Sequence, residues 1–502
     1  QRQMCIRDRL KKYTKPSGND LYEAKWAHEL NKNFTVNLTG NKTYDLTGTG
    51  FRGINQLFDA TNSNLGDIKC DYTLSLTAIQ GNDKTIKLDT DIKAYAVKIT
   101  DNKSGSIIEI QDMDNYKYRT AFASVKGVGL INCSTYALTV KNLKLSGKIS
   151  VKTYNNDGQS YVNEDLSTGG IVGGVQSSCT FSGITLIDLE IYGAYTVGGL
   201  IGKSTNNINI SGVKSENSGI YVYGGFETGG LVGNSQKGSE FNVKDSKITI
   251  NKVEFANLDK GTGTWFGVGG IAGSANIKTT ISNVQLTPYN TDSFIGSKKD
   301  NKPLATLTMN EGGLIGLSNE VCTIENTSVS VDVYGSNAGG FVGINKKQLS
   351  VNENCYYGGT SDTSACGVYG YASSGGMVGK QNAAVTISKS AVKNAAIGIP
   401  TAKNGDAGIG GYVGIKVNGD LKITDCEVNN VTLSAEDKSN GAGAGGVIGH
   451  NDGGNTYAYD ILINKLGYVR GNNSVSVSNL IGWNYDCLLY TSPSPRDRSV
   501  SR

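Results

Sequence analysis

Nine times between Gly169 and Gly449 the chain writes Gly-Gly, an apolar residue, then Val, Ile or Ala, then Gly. The copies open at Gly169, Gly198, Gly229, Gly269, Gly312, Gly339, Gly375, Gly410 and Gly445. The first and last openings lie 276 residues apart, eight steps with a mean of 34.5. Self-similarity at this period predicts a solenoid, whose repeats bury their apolar faces only by stacking on one another. It names no ligand and no reaction.

The two ends read differently. Gln1–Arg9 is QRQMCIRDR and Cys487–Asp497 is CLLYTSPSPRD. Both resemble in-frame translations of the transposase adapters used in short-read DNA library preparation, and 498–502 then reads as index sequence. The expectation is that residues 1–9 and 487–502 are adapter-derived and that 10–486 is an internal fragment of a longer reading frame, of the kind metagenomic sequencing yields. Excluding the ends changes the charge. The whole chain has 48 basic and 44 acidic residues, a net +4. Removing six Arg and two Asp leaves 42 of each sign, a net charge of zero. A neutral chain without a basic cluster lacks the electrostatic footprint of a nucleic-acid binder. No apolar run reaches 18 residues, so no membrane span is expected in the fragment.

Gly accounts for 67 of 502 residues, nearly twice ordinary usage. Disorder is the competing reading of that figure. The glycines recur in a motif, Pro numbers only 6, and apolar residues alternate between the copies, all of which favour a folded chain. Within 10–486 seven cysteines remain, at 70, 133, 179, 322, 355, 366 and 426, none in a CxxC pair. Cys133, Cys179, Cys355 and Cys426 each follow a polar residue near a strand start, which predicts inward positions on successive turns. Cys355 and Cys366 share one repeat, and a disulfide between them is open if the protein is exported.

The chain divides into 10–126, a cap and irregular first coils, and 127–486, the repeats. Ser17–Asn33 is the one good helix pattern, with Asp20 and Glu23 as a capping box, and is expected to plug the N-terminal end of the stack. Phe34–Leu38, Tyr72–Leu76, Thr85–Leu88, Tyr95–Ile99 and Ile107–Ile110 read as strands. Gly127–Asn132 is a degenerate first copy of the motif, followed by a buried strand at Leu138–Leu145. In the steady repeat the motif is read as one strand. A second follows, such as Thr280–Val284, Cys322–Asn326 or Leu421–Asp425, and a third, such as Ile187–Tyr192, Lys247–Val253 or Val329–Tyr334, returns to the next motif. Three short strands per repeat predict a right-handed parallel β-helix of about ten coils, roughly 50 Å long at about 4.8 Å per coil. The paired glycines are expected to supply positive φ and close backbone approach at a stacked corner. The third motif position accepts residues as large as Phe and Tyr and the fourth only Val, Ile and Ala, so the fourth is expected to face the core and the third the opposite face. The repeat runs on to Asn479–Gly482, and an uncapped last coil with open strand edges is expected to self-associate.

The nine copies and the strands after them, most clearly Ser350–Tyr356, resemble the GLUG motif, a glycine-rich repeat of bacterial surface and secreted proteins. The resemblance covers roughly residues 127–482. It implies an extracellular or cell-surface location, an adhesin-like stalk or display scaffold, and host or environmental glycans or surface proteins as partners. Some proteins with this repeat carry immunoglobulin-A-cleaving metallopeptidases, so an accessory arm of a secreted peptidase is an alternative.

Catalytic chemistry is not expected in the fragment. His28-Glu29 would begin a zinc-peptidase motif, but position 32 is Lys rather than His. His28 and His450 are the only histidines, too few and too far apart in sequence for a Ser-His-Asp or Cys-His system. A carbohydrate-cleaving β-helix needs grouped carboxylates with a nearby cation. The loop residues Asp362, Asp406 and Asp452 form no recognisable set, and Arg is missing from 120–469. No cofactor and no metal are expected. Carbohydrate binding has a better cue: Tyr192, Tyr223, Phe266, Tyr334 and Tyr369 each precede a Gly shortly before a motif copy. Stacked in register, they would make an aromatic ladder, either structural or a platform for sugar faces.

Overall fold

The computed structural model describes residues 126–134, 137–151, 166–193, 195–255, 266–304, 309–361, 366–400, 407–435, 442–470 and 475–484. It also describes strands at 34–37, 44–45, 76–88, 95–99, 108–112, 117–120, 153–154 and 489–490. The protein is all-β among these residues, with mostly parallel strands in stacked sheets, as a β-solenoid arranges them. The expected helix over Ser17–Asn33 lies outside the described residues.

The motif itself is split into two strands, so a repeat holds four strands rather than the three read from sequence, or three where the third and fourth run together, as in Phe241–Phe255, Leu421–Ala435 and Thr456–Arg470. In one repeat the first strand is Leu166–Gly169 and the second Val172–Val175, with a bend at Gly170 and Ile171 between them. The third is Cys179–Ser182 and the fourth Thr185–Tyr192. The second strands form an eleven-stranded, wholly parallel sheet from Ile131–Ser134 to Ile481–Asn484. Both the degenerate first copy of the motif and the partial last one contribute a strand to it. The other strands join in a 31-stranded sheet that reaches down to Leu76–Leu88 and Phe34–Asn37. Tyr95–Ile99, Ile108–Asp112 and Lys117–Thr120 pair antiparallel in a small separate sheet.

None of the motif glycines adopts positive φ, so close approach alone explains them. A Cβ built on any of the nine fifth-position glycines, from Gly173 to Gly449, would lie within 3.0 Å of backbone atoms of the preceding repeat. A Cβ on Gly169 would meet the carbonyl of Val172, and one on Gly170 the carbonyl of Gly199 in the next repeat. The first and second strands therefore fold back on each other with backbone nearly touching backbone. The bend is stacked by hydrogen bonds that climb the repeats: Gly170 N to Gly199 O at 3.2 Å, Ile171 N to Leu200 O at 3.0 Å, and Val172 N to the same Leu200 O at 3.0 Å.

This arch sits inside the repeat. A Cβ on Gly170 would also touch the side chains of Leu145 and Leu189, which project inward from fourth strands. At the arch tip Tyr412 reaches across the interior and donates its hydroxyl to Glu427 O at 2.8 Å and Ser390 O at 3.1 Å, where third strands turn into fourth. Third-position side chains thus line the main core, contrary to the expectation that they face away. The fourth position is equally buried, from Val172 through Ile201, Val232 and Ala272 to Ile448. Strict alternation fails here because the third residue lies in a bend, not in a strand.

The turn between third and fourth strands uses the left-handed region in repeat after repeat: Asn142, Gly183, Gly212, Asp245, Asn283, Asn326, Asn354, Lys389, Asp425 and Asp460. Asn, Asp and Gly are the residues that tolerate this conformation, and Lys389 and Glu353, the latter beside Asn354, depart from that set. Their side chains add rung-to-rung bonds, such as Asn283 Nδ2 to Asp245 Oδ1 at 2.8 Å.

The arch generates a test. Gly316→Ala and Gly449→Ala should each destabilise the protein by about 3 kcal/mol or more, because a methyl group has only backbone to displace. Gly467→Ala, whose added Cβ would find its nearest atom at 3.5 Å, should change stability by less than about 0.5 kcal/mol. Chemical denaturation of the three variants checks this; equal losses would contradict the arch.

Candidate functional site

Tyr192, Tyr223, Tyr334 and Tyr369 stand on strands that lead to the next motif and Phe266 just before the first strand Gly267–Gly269, and the five do not form one column. Tyr192 pairs with Tyr223, Tyr223 with Glu254, Glu254 with Gly296, Gly296 with Tyr334, and Tyr334 with Tyr369. Glu254 and Gly296 therefore split the column into two tyrosine pairs. Tyr334 and Tyr369 stack at 4.9 Å, whereas Tyr192 and Tyr223 are tilted, with centroids 5.8 Å apart. Phe266 belongs to a different column, at 4.6 Å from Phe226, which is 4.8 Å from Tyr195. The reason lies in spacing: Phe266 stands three residues before its motif, as do Tyr195 and Phe226, while Tyr192, Tyr223 and Tyr369 stand six before theirs.

The two pairs differ in exposure at one member, since Tyr369 is partly exposed like Tyr192 and Tyr223 while Tyr334 is buried. Tyr334 is 4% exposed and Phe294 beside it 2%. A short hairpin, Lys298–Lys299 with Lys302–Pro303, follows Phe294, and the Lys298 ammonium lies 4.6 Å from the Phe294 ring and 4.9 Å from the Tyr334 ring. Tyr192, Tyr221 and Tyr223 are partly exposed. Sequence reading missed Tyr221, which stands two residues before Tyr223 on the same strand face and packs edge-on to Tyr192 at 5.1 Å. Burial, followed by the nearby carboxylates Glu190 and Glu254, pushes the Tyr192 and Tyr221 hydroxyls well above the usual phenol range.

The described thiols, His450 and Lys416 lie inside the fold. Cys179, Cys322, Cys355, Cys366 and Cys426 are free and buried. Burial pushes the thiols of Cys179, Cys322 and Cys366 up to about 12 and that of Cys355 up to about 11, far from reactive thiolates. Cys70 lies outside the described residues, as does the Cys133 side chain. His450 is fully buried, with Nε2 2.6 Å from Asp452 Oδ1. Asp362, Asp406 and His28 lie outside the described residues. Lys416, also fully buried, donates to Asn451 Oδ1 at 3.1 Å, to Gly454 O at 2.6 Å and to Gly453 O. Its ammonium satisfies turn carbonyls that Asn345 and Gln381 serve with their amides in the two preceding repeats. Among the described residues, no group of three or more His, Cys, Asp or Glu is placed to hold a metal ion. No described helix is long and apolar enough to cross a membrane.

Two carboxyls are buried where the first strand meets its neighbours. Glu227 accepts from Asn234 Nδ2 and, at 3.5 Å, from Thr196 Oγ1. Glu311 stands in the interior column between Val268 and Ala338 and accepts one backbone bond, from Ser336 N at 2.9 Å. Burial raises both carboxyls above the usual range, Glu311 the more strongly, and the Ser336 N–H only partly opposes it. A carboxyl whose value rises on folding lends stability that is complete below its unfolded value, near 4.5, and is lost as pH climbs through its folded one. Glu311→Gln should therefore melt with the parent protein at about pH 4.5 and above it in temperature at neutral pH. Thermal melts across that range check this, and a constant difference would contradict it.

Comparison of the chain with protein-family models, curated proteins and solved structures gives no match.

Proposed function

We propose that the chain is part of an exported bacterial cell-surface β-solenoid of the GLUG-repeat kind, working as an adhesin-like stalk or display scaffold. In this reading it is a right-handed stack of about ten coils. One observation carries the reading: the eleven-stranded sheet of second strands runs without a break in parallel register from Ile131–Ser134 to Ile481–Asn484. Such a sheet makes a rod about 50 Å long whose rigidity comes from backbone hydrogen bonds. The internal engagement of Lys416, His450, Glu227 and the thiols supports the same reading, because these groups hold the stack together. The reading assigns this stretch no reaction.

A stalk is modular, and modularity is testable. Residues 376–410 form one full period, and Gly375 pairs with Gly410 in the parallel register. Deleting them should leave a folded chain whose circular dichroism spectrum and cooperative melting resemble the parent's. Loss of the fold would contradict a repeat-by-repeat scaffold.

A further inference from the structure

We propose that Tyr192, Tyr221 and Tyr223, with Lys148, Lys252, Glu190 and Glu254 around them, form a binding site for an uncharged, extended polysaccharide chain. The interior of these rungs is complete without the tyrosines. Ile191, Ile220 and Val222 face inward from the same strands and are fully buried. The rings instead stand on the outer face and stay partly exposed. A cluster of aromatic faces on a polar sheet surface is the kind of patch that marks a binding site.

The polar rim defines the ligand. Glu190 accepts from the Tyr192 hydroxyl at 3.2 Å and lies 3.3 Å from the Lys148 ammonium. Glu254 accepts from the Tyr221 hydroxyl at 2.9 Å. Lys148 lies 4.4 Å from the Tyr192 ring centroid and Lys252 lies 5.9 Å from that of Tyr221. Two carboxylates and two ammoniums balance, so the patch offers no net attraction to a charged polymer. It offers donors and acceptors for hydroxyl groups beside rings that cover C–H faces, the combination that a neutral sugar chain presents. The four rungs from Lys148 to Lys252 span about 14 Å along the stack, room for a short oligosaccharide lying across the rungs. The Phe294–Tyr334 region, buried beside its hairpin, offers no such surface.

The test uses the whole chain with cellotetraose, mannotetraose and laminaritetraose as neutral probes and tetragalacturonate as the charged one. Saturation-transfer NMR and calorimetry should detect at least one neutral probe and bind it more tightly than tetragalacturonate. Tyr221→Ala and Tyr223→Ala should each weaken that binding at least tenfold, while Tyr369→Ala, on the other tyrosine pair, should leave it unchanged. Glu190→Gln and Glu254→Gln, which keep the rings in place, should weaken it at least threefold and serve if an alanine variant fails to fold. The proposal is overturned if no neutral probe binds, if tetragalacturonate binds best, or if the folded variants bind as the parent does.

Discussion

At every rung the first and second strands come so close that no side chain fits between them, and the rest of the structure follows from that contact. Glycine is required at the first, second and fifth motif positions because a Cβ there would run into peptide backbone. Overpacking against backbone cannot be relieved by a rotamer change, since there is no flexible end to move. The arch in turn fixes what surrounds it. Its tip directs the third-position side chains toward the turn between the outer strands, where Tyr412 bonds to Ser390 and Glu427. With both faces covered, the second strands from Val172–Val175 to Ile448–Asn451 are buried except at Lys203 and Lys380, as parallel strands generally are.

Burying strands on both faces leaves polar side chains in the interior; many are matched to backbone groups, while the hydroxyls of Ser167, Thr168 and Thr228 make no hydrogen bond. Ser204 and Ser318 donate to carbonyls two residues on, while Asn345, Gln381 and Lys416 reach the carbonyls of turns. An unpaired polar group at such a site costs on the order of 1–3 kcal/mol, and the column holds either a residue that reaches a carbonyl or an apolar one, as at Val175 and Ala275. Glu311 is a carboxyl in an apolar column with a single donor.

Much of the stack was legible in the sequence because the arch forces glycine to recur once per rung. The motif period gave the rungs, and strands such as Ile187–Tyr192 were read nearly to their ends. The split of the motif into two strands was not legible, since a five-residue run looks the same whether straight or folded over. The left-handed turns were missed although Asn, Asp or Gly marks nearly all of them, because a single polar residue between apolar runs also suits an exposed strand position. The aromatic ladder was misjudged for a traceable reason. Proximity to a motif is not register, and counting back from each motif separates Phe266 from Tyr192 and Tyr223. Insertions also matter: the steps of 40 and 43 residues after Gly229 and Gly269 bring Glu254 and Gly296 into the tyrosine column.

Amide hydrogen exchange tests the buried arch most directly. The account predicts that the amides of Val172, Ile201, Val232, Ile315, Val342, Val378, Val413 and Ile448, hydrogen-bonded from rung to rung and buried on both faces, exchange slowest in the molecule. Third-strand amides, on a sheet with one face in water, should exchange faster. If the second-strand amides exchanged as fast as those of the third strands, the arch would not be the buried centre of the fold.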